Sequence, residues 1–91
     1  MLIVVSYDIP DDRRRAKLAH ALKDFGRRVQ LSVFECLLKE DQVQRLKRRI
    51  ERLTEPQEDS VRIYRLCGGC APKVEVVGRG VLSEDPEVYI V

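Results

Sequence analysis

Arg27-Arg28-Val29-Gln30-Leu31-Ser32-Val33-Phe34-Glu35-Cys36-Leu37-Leu38 is the stretch on which the fold turns. Val29, Leu31 and Val33 alternate with Gln30 and Ser32 at the period of a pleated strand, so residues 27–38 read as extended. The phase then slips. Phe34, Cys36 and Leu38 form the next apolar set, with Glu35 and Leu37 opposite. A one-residue slip turns every later side chain to the other face, which one uninterrupted strand does not allow. The pattern predicts a bulge or a tight reversal around Ser32 and two short strands, although no Asn-Gly or Gly-Gly pair marks the turn.

Upstream, Leu2–Tyr7 is continuously apolar and β-branched up to Ser6, the pattern of a strand buried on both faces. Asp8-Ile9-Pro10-Asp11-Asp12 ends it, because proline cannot donate to a ladder and Asp11 or Asp12 can cap a following helix. That helix is predicted over roughly 12–25, with Leu18, Leu22 and Phe25 as its buried stripe and Gly26 as its stop. Downstream, a second helix is predicted from near Asp41, whose spacing to Gln44 suits a capping box. Its apolar face is Val43, Leu46, Ile50 and Leu53, and Pro56 lies just beyond its end. Ser60–Cys67 reads as a strand, with Val61, Ile63 and Leu66 as its inward candidates, and Cys67-Gly68-Gly69-Cys70 as a turn. Val74–Val77 and Val88–Val91 are short candidate strands, separated by an acidic turn at Glu84-Asp85-Pro86-Glu87.

The order β-α-β-β-α-β is the split βαβ arrangement, so the fold class expected is α+β and ferredoxin-like, with a short C-terminal extension strand. One domain spans 1–91, its core over about 1–67 and the extension over about 71–91. Two helices cover one face of such a sheet. The other face is left for a partner, and a symmetric homodimer is the simplest one.

Composition agrees with a small partnered domain. At 91 residues the chain buries only about 60–65% of the surface its unfolded form exposes, so covering an apolar face with a second copy adds needed stability. With 44% hydrophobic and 35% charged residues it is too apolar for disorder and too charged for a membrane protein. Its longest apolar run, Leu2-Ile3-Val4-Val5, is far short of the roughly 18 residues of a membrane span. Met1 leads straight into that run without a basic segment or cleavage site, so the expected location is cytoplasmic.

The net charge of +2 hides an asymmetry. Residues 1–53 hold thirteen Lys and Arg against eight Asp and Glu, whereas residues 54–91 hold four against seven. Between 13 and 28 the basic residues are Arg13, Arg14, Arg15, Lys17, Lys23, Arg27 and Arg28, against Asp24 alone. Arg45, Lys47, Arg48, Arg49 and Arg52 form a second cluster. Local charge, not the total, decides whether a phosphate backbone is attracted.

Asp8 is the most informative position. It follows a buried strand and precedes a helix, which suits either a turn or capping residue or a ligand for a hard cation that also takes water and phosphate oxygens, such as Mg²⁺. One carboxylate is thin support for metal chemistry, but a two-fold dimer brings a second copy of Asp8. Arg15 lies about 60° from Leu18 and 20° from Leu22 on a helical wheel, at the edge of the apolar stripe. From there it can return to Asp8 as an ion pair or hold a phosphate. The other helical basic residues read first as solvated faces.

Cys67 and Cys70 reach the four ligands of a structural zinc only if both Cys36 and His20 join them or a dimer pools two Cys pairs, so they read first as a glycine turn with small thiols. His20 has no neighbour suggesting a triad. There is no GxGxxG, GxxxxGK[ST] or HExxH, and five aromatic residues are too scattered for a base-stacking sheet.

Val4-Val5-Ser6-Tyr7-Asp8-Ile9, Asp11-Asp12-Arg13-Arg14-Arg15 and Arg28-Val29-Gln30-Leu31-Ser32-Val33-Phe34-Glu35 together resemble the small CRISPR-associated endonuclease or endoribonuclease family of the Cas-two type. The resemblance covers residues 2–66 in order. It implies a ferredoxin-like homodimer whose C-terminal strand joins the partner's sheet, and a Mg²⁺ site at Asp8. It also implies CRISPR integrase dimers as partners and RNA or duplex DNA as substrate. By the same resemblance Asp8 is the catalytic residue and Arg13, Arg14, Arg15, Lys17 and Arg28 contact nucleic acid. Tyr7, Gln30 and Phe34 take supporting or interface roles, Phe34 at the dimer interface. Lys17 stands where relatives often have arginine, and the Cys-Gly-Gly-Cys turn is no signature of the family. Three rival functions remain open: a non-catalytic scaffold bridging integrase dimers, a toxin-type ribonuclease of related fold, and a small-ligand regulatory domain.

Overall fold

The computed structural model describes residues 1–66 together with 68, 69, 75 and 77. Cys67, Cys70 and the strand expected over 88–91 lie outside the described residues. Of the strand expected over 74–77, Glu75 and Val77 carry no strand structure. The elements are β1 (Leu2–Asp8), α1 (Asp12–Leu22), β2 (Arg27–Gln30), β3 (Val33–Leu37), α2 (Glu40–Leu53) and β4 (Ser60–Leu66). The sheet order is β2-β3-β1-β4, with every neighbouring pair antiparallel. This is the ferredoxin-like α+β arrangement.

Within 27–38, both sequence signals have a structural counterpart. Leu31 and Ser32 make the reversal between β2 and β3, and the pairing shifts between Arg28 and Gln30, leaving Val29 as the extra residue. Arg28 faces Phe34 while Gln30 faces Val33. The slip places Phe34 and Cys36 inward, where both are fully buried.

Alternation along β1 builds the two faces of the sheet. Ile3, Val5 and Tyr7 point to the helices and join one core with Leu18, Leu22, Phe34, Cys36, Val43, Leu46 and Ile50. Val4, Ser6 and Asp8 take the other face, opposite Tyr64, Arg62 and Ser60 of β4. Both helices therefore lie on the Val5 side, and the Val4 side carries no helix.

α1 begins at Asp11, whose carboxylate accepts from the Arg14 N–H at 2.8 Å. It ends at Leu22, three residues short of the predicted Phe25. The Phe25 and Gly26 N–H groups both turn back to the Leu22 carbonyl. The early stop follows from close packing: a Cβ on Gly26 would lie 2.1 Å from the Glu35 carbonyl oxygen and 2.7 Å from the Cys36 sulfur. α2 starts at Glu40, and the capping partner is Gln42, which accepts from the Lys39 N–H at 2.8 Å, not the predicted Asp41–Gln44 pair. Gln44 lies one turn on and donates instead to Glu40 at 3.1 Å.

Gly26→Ala forces its new Cβ against the β3 backbone and should cost about 1–3 kcal/mol. For a domain of this size each kcal/mol lowers the melting temperature by about 4–8 °C. Thermal unfolding followed by circular dichroism checks it; an unchanged midpoint contradicts the close approach of residue 26 to β3.

Candidate functional site

Asp8 is the last residue of β1, exposed, and directly opposite Ser60. Its carboxylate has no hydrogen-bond or ion-pair partner among the described residues. The pleat puts it on the helix-free face, which also carries Val4, Val33, Leu37 and Tyr64, the last 46% exposed. No three His, Cys, Asp or Glu side chains gather into a metal-holding group among the described residues. One chain thus offers a lone carboxylate on an uncovered, partly apolar surface.

Arg15 does not pair with Asp8. Its guanidinium donates to the Ile9 carbonyl at 2.9 Å and makes an ion pair with Asp12 one turn away. It therefore fixes the chain just after Asp8. On its other side it lines a cavity of about 480 Å³ between α1 and the β2–β3 reversal, shared with Tyr7, Asp12, Arg28, Leu31 and Ser32. The fold thus brings Arg15 and Arg28, thirteen residues apart in the chain, to one concave site.

Tyr7 is buried, and its hydroxyl donates to the Leu31 carbonyl at 3.3 Å. Its backbone N–H donates to the Ser32 carbonyl at 3.0 Å. Tyr7 thereby ties β1 to the hairpin tip and forms a wall of the cavity. The Arg28 guanidinium lies 5.6 Å from the centre of the Phe34 ring, in reach of cation–π attraction. Phe34 itself is 0% exposed, its ring centre 6.4 Å from that of Tyr7, so it is a core residue and not the interface residue expected. The phase slip turns it inward toward the helices and away from the open face. Gln30 is exposed at the end of β2.

Arg14 also departs from its expected role. Its guanidinium donates to Asp59 at 2.9 and 3.1 Å and to Glu58 at 2.8 Å. These bonds, Asp59 first, hold Arg14 above its ordinary pKa, so it is a staple and not a free phosphate contact. The Asp59 side chain is only 1% exposed and also accepts from the Glu55 N–H at 2.7 Å. Its carboxyl is held low, chiefly by Arg14. This cluster was not legible in the sequence, because its partners are 45 residues apart. It fixes the residue just before Ser60, and so the strand end that faces Asp8. Arg13 and Lys17 are exposed on α1 and have no ion-pair partner among the described residues. Cys36 is buried, and desolvation, then the Glu35 charge, pushes its thiol up to about 11, so it is inert at neutral pH. His20 is exposed on α1 and belongs to no metal-holding group among the described residues.

The family model described as "CRISPR associated protein Cas2" matches residues 1–74. The chain belongs to the Cas2 family. It is 52% identical over 89 residues to "CRISPR-associated endonuclease Cas2 2" of Thermus thermophilus, covering 98% of this chain and 94% of that one. It is 43% identical over 90 residues to "CRISPR-associated endoribonuclease Cas2 3" of Synechocystis, covering 99% and 98%. Among solved structures, a chain of the "Partial Cas6-RT-Cas1–Cas2 complex" superposes with a TM-score of 0.71 at 29% identity, covering 84% of this chain and 89% of that one. That superposition agrees with the fold of four strands and two helices described here.

The Asp59 carboxyl, held below the ordinary value of about 3.8, contributes stability that is present above that value and is lost as the pH falls through its lower, folded-state pKa. Asp59→Asn should therefore melt several degrees below wild type at pH 7, with the gap closing as the solution is taken toward pH 2. Melting curves of the two proteins across that range check it; a gap that stays constant contradicts the ion pair.

Proposed function

We propose that this chain is a nuclease subunit that cleaves phosphodiester bonds in CRISPR adaptation, acting as a symmetric homodimer alongside Cas1. One observation carries the reading: an unpartnered, exposed Asp8 carboxylate stands on the only helix-free face of the described sheet, a face whose Val4, Val33, Leu37 and Tyr64 a second copy would cover. The names of the two relatives, one an endonuclease and the other an endoribonuclease, support nucleic-acid cleavage with RNA or duplex DNA as substrate. The complex in which the structural neighbour was solved supports Cas1, the integrase, as partner. No helix among the described residues is long and apolar enough to cross a membrane.

The donor set fits Mg²⁺ best in a partnered form. Mg²⁺ takes one or two carboxylates and completes its shell with water and phosphate oxygens. Asp8 from each copy would hold it, since the two-fold axis of a face-to-face dimer repeats every residue of the open face. When bound, the ion supplies positive charge to a phosphoryl oxygen and acidifies a coordinated water. The protein's own groups do the rest. Arg28 and the free side of Arg15 bind phosphates at their shared cavity, on the helix side of the sheet. Arg13 and Lys17 steer the backbone from the exposed side of α1. Arg15, through the Ile9 carbonyl, keeps Asp8 at its strand end.

Asp8→Ala should lower the rate of Mg²⁺-dependent cleavage by about a hundredfold or more while melting normally, since Asp8 is exposed and unpaired. Cleavage of RNA and duplex oligonucleotides with Mg²⁺ or EDTA measures this. If the variant cuts as fast as wild type, Asp8 is not catalytic; if neither protein cuts, the non-catalytic scaffold reading takes its place.

A further inference from the structure

The second basic cluster has no part in the site above. Arg45, Arg48, Arg49 and Arg52 fall at i, i+3, i+4 and i+7 of α2, all four exposed. They form a ridge about 10 Å long, roughly 130° around the helix from Val43, Leu46 and Ile50, which face the core. Phe25, half-buried at the end of α1, floors a cavity of about 410 Å³ walled by these four arginines.

Only two of the four charges are paired in place. Arg45 pairs with Asp41 at 3.7 Å and Arg49 with Asp24 at 3.2 Å. Arg48 and Arg52 have no ion-pair partner among the described residues. A solvated helix face usually alternates charge sign, and like charges at i, i+3 and i+4 repel. Four guanidiniums on one stripe are a local cost that helix stability does not explain.

We propose that this ridge is a second docking surface, taking the phosphate backbone of duplex nucleic acid on the side of the chain remote from Asp8. Arginine forks bind phosphate oxygens in a planar, bidentate way, and all four positions are arginine although lysine stands beside them at Lys47. A duplex presents about one negative charge per 1.7 Å of axis, so a ridge of this length meets several phosphates without needing a particular sequence. An acidic protein fits less well, because protein interfaces centre on large apolar anchors. The exposed large apolar side chains among the described residues are Val29, Leu31, Leu37, Tyr64 and Val77, none of them on α1 or α2. The apolar floor at Phe25 lowers the local dielectric and strengthens the attraction. The ridge lies on the helix side, so it stays open when a second copy covers the sheet.

The test is duplex binding by fluorescence anisotropy in EDTA, without cleavage, between roughly 50 and 200 mM salt. Arg48→Glu with Arg52→Glu should weaken binding at least tenfold and reduce the salt slope by about two, near 0.9 for each phosphate left without its arginine. Arg48→Gln with Arg52→Gln should act in the same direction but less. Lys39→Glu with Lys47→Glu removes the same charge off the ridge and should change affinity less than threefold. Unchanged affinity in the Arg48/Arg52 pair, or an equal loss in the Lys39/Lys47 pair, overturns the proposal. Loss of binding only on reversing Arg15 and Arg28 overturns it too, while leaving the Asp8 reading in place.

Discussion

The pleat of β1 fixes where every part of the site can lie. Side chains alternate along a strand, so Ile3, Val5 and Tyr7 can enter the core only if Val4, Ser6 and Asp8 face away from it. The strand is paired on both edges, by β3 and β4, and cannot rotate or slip without breaking two ladders. A one-residue shift would bury Asp8 among Leu18, Leu22 and Phe34 and expose the core. The exposed carboxylate is thus a consequence of the same packing that holds the domain together.

Two devices hold that strand end in place. Arg15 takes the carbonyl next after Asp8, and the Arg14–Asp59 cluster anchors the start of the strand opposite. Consecutive arginines on α1 thereby serve different ends. Arg14 is consumed by carboxylates inside the fold, Arg15 is shared between backbone and cavity, and Arg13 points to solvent. Counting basic residues in the sequence overstates the number available to phosphate. The remainder divides into two regions, the Arg15–Arg28 cavity against α1 and the α2 ridge. Both are compatible with a chain whose net charge is only +2.

Local pattern made the element order legible. The phase slip after Ser32 separates β2 from β3, Asp11 caps α1, and the spacing of Val43, Leu46 and Ile50 marks α2. Differences arise where contacts distant in sequence take over. α1 stops early because Gly26 must pass against β3, and the α2 cap uses Gln42 because the capping pair lies two residues sooner, at Lys39 and Gln42. Phe34 lies in a family motif, but the sequence does not show that its ring closes the core beneath Arg28. Asp59 carries no local signal at all; its role comes from Arg14, 45 residues away. The position of Asp8 at the end of a buried strand was legible, and the shared Arg15–Arg28 cavity was not.

In the proposed dimer, two copies of Asp8 form one site. Subunit mixing tests it most directly: wild type and Asp8→Asn are combined in varying ratio under exchange, and Mg²⁺-dependent cleavage is measured. If both carboxylates are needed, an equal mixture retains about one quarter of the wild-type activity, the share of dimers with two intact copies. If it retains about one half, each Asp8 acts alone and the shared site is wrong.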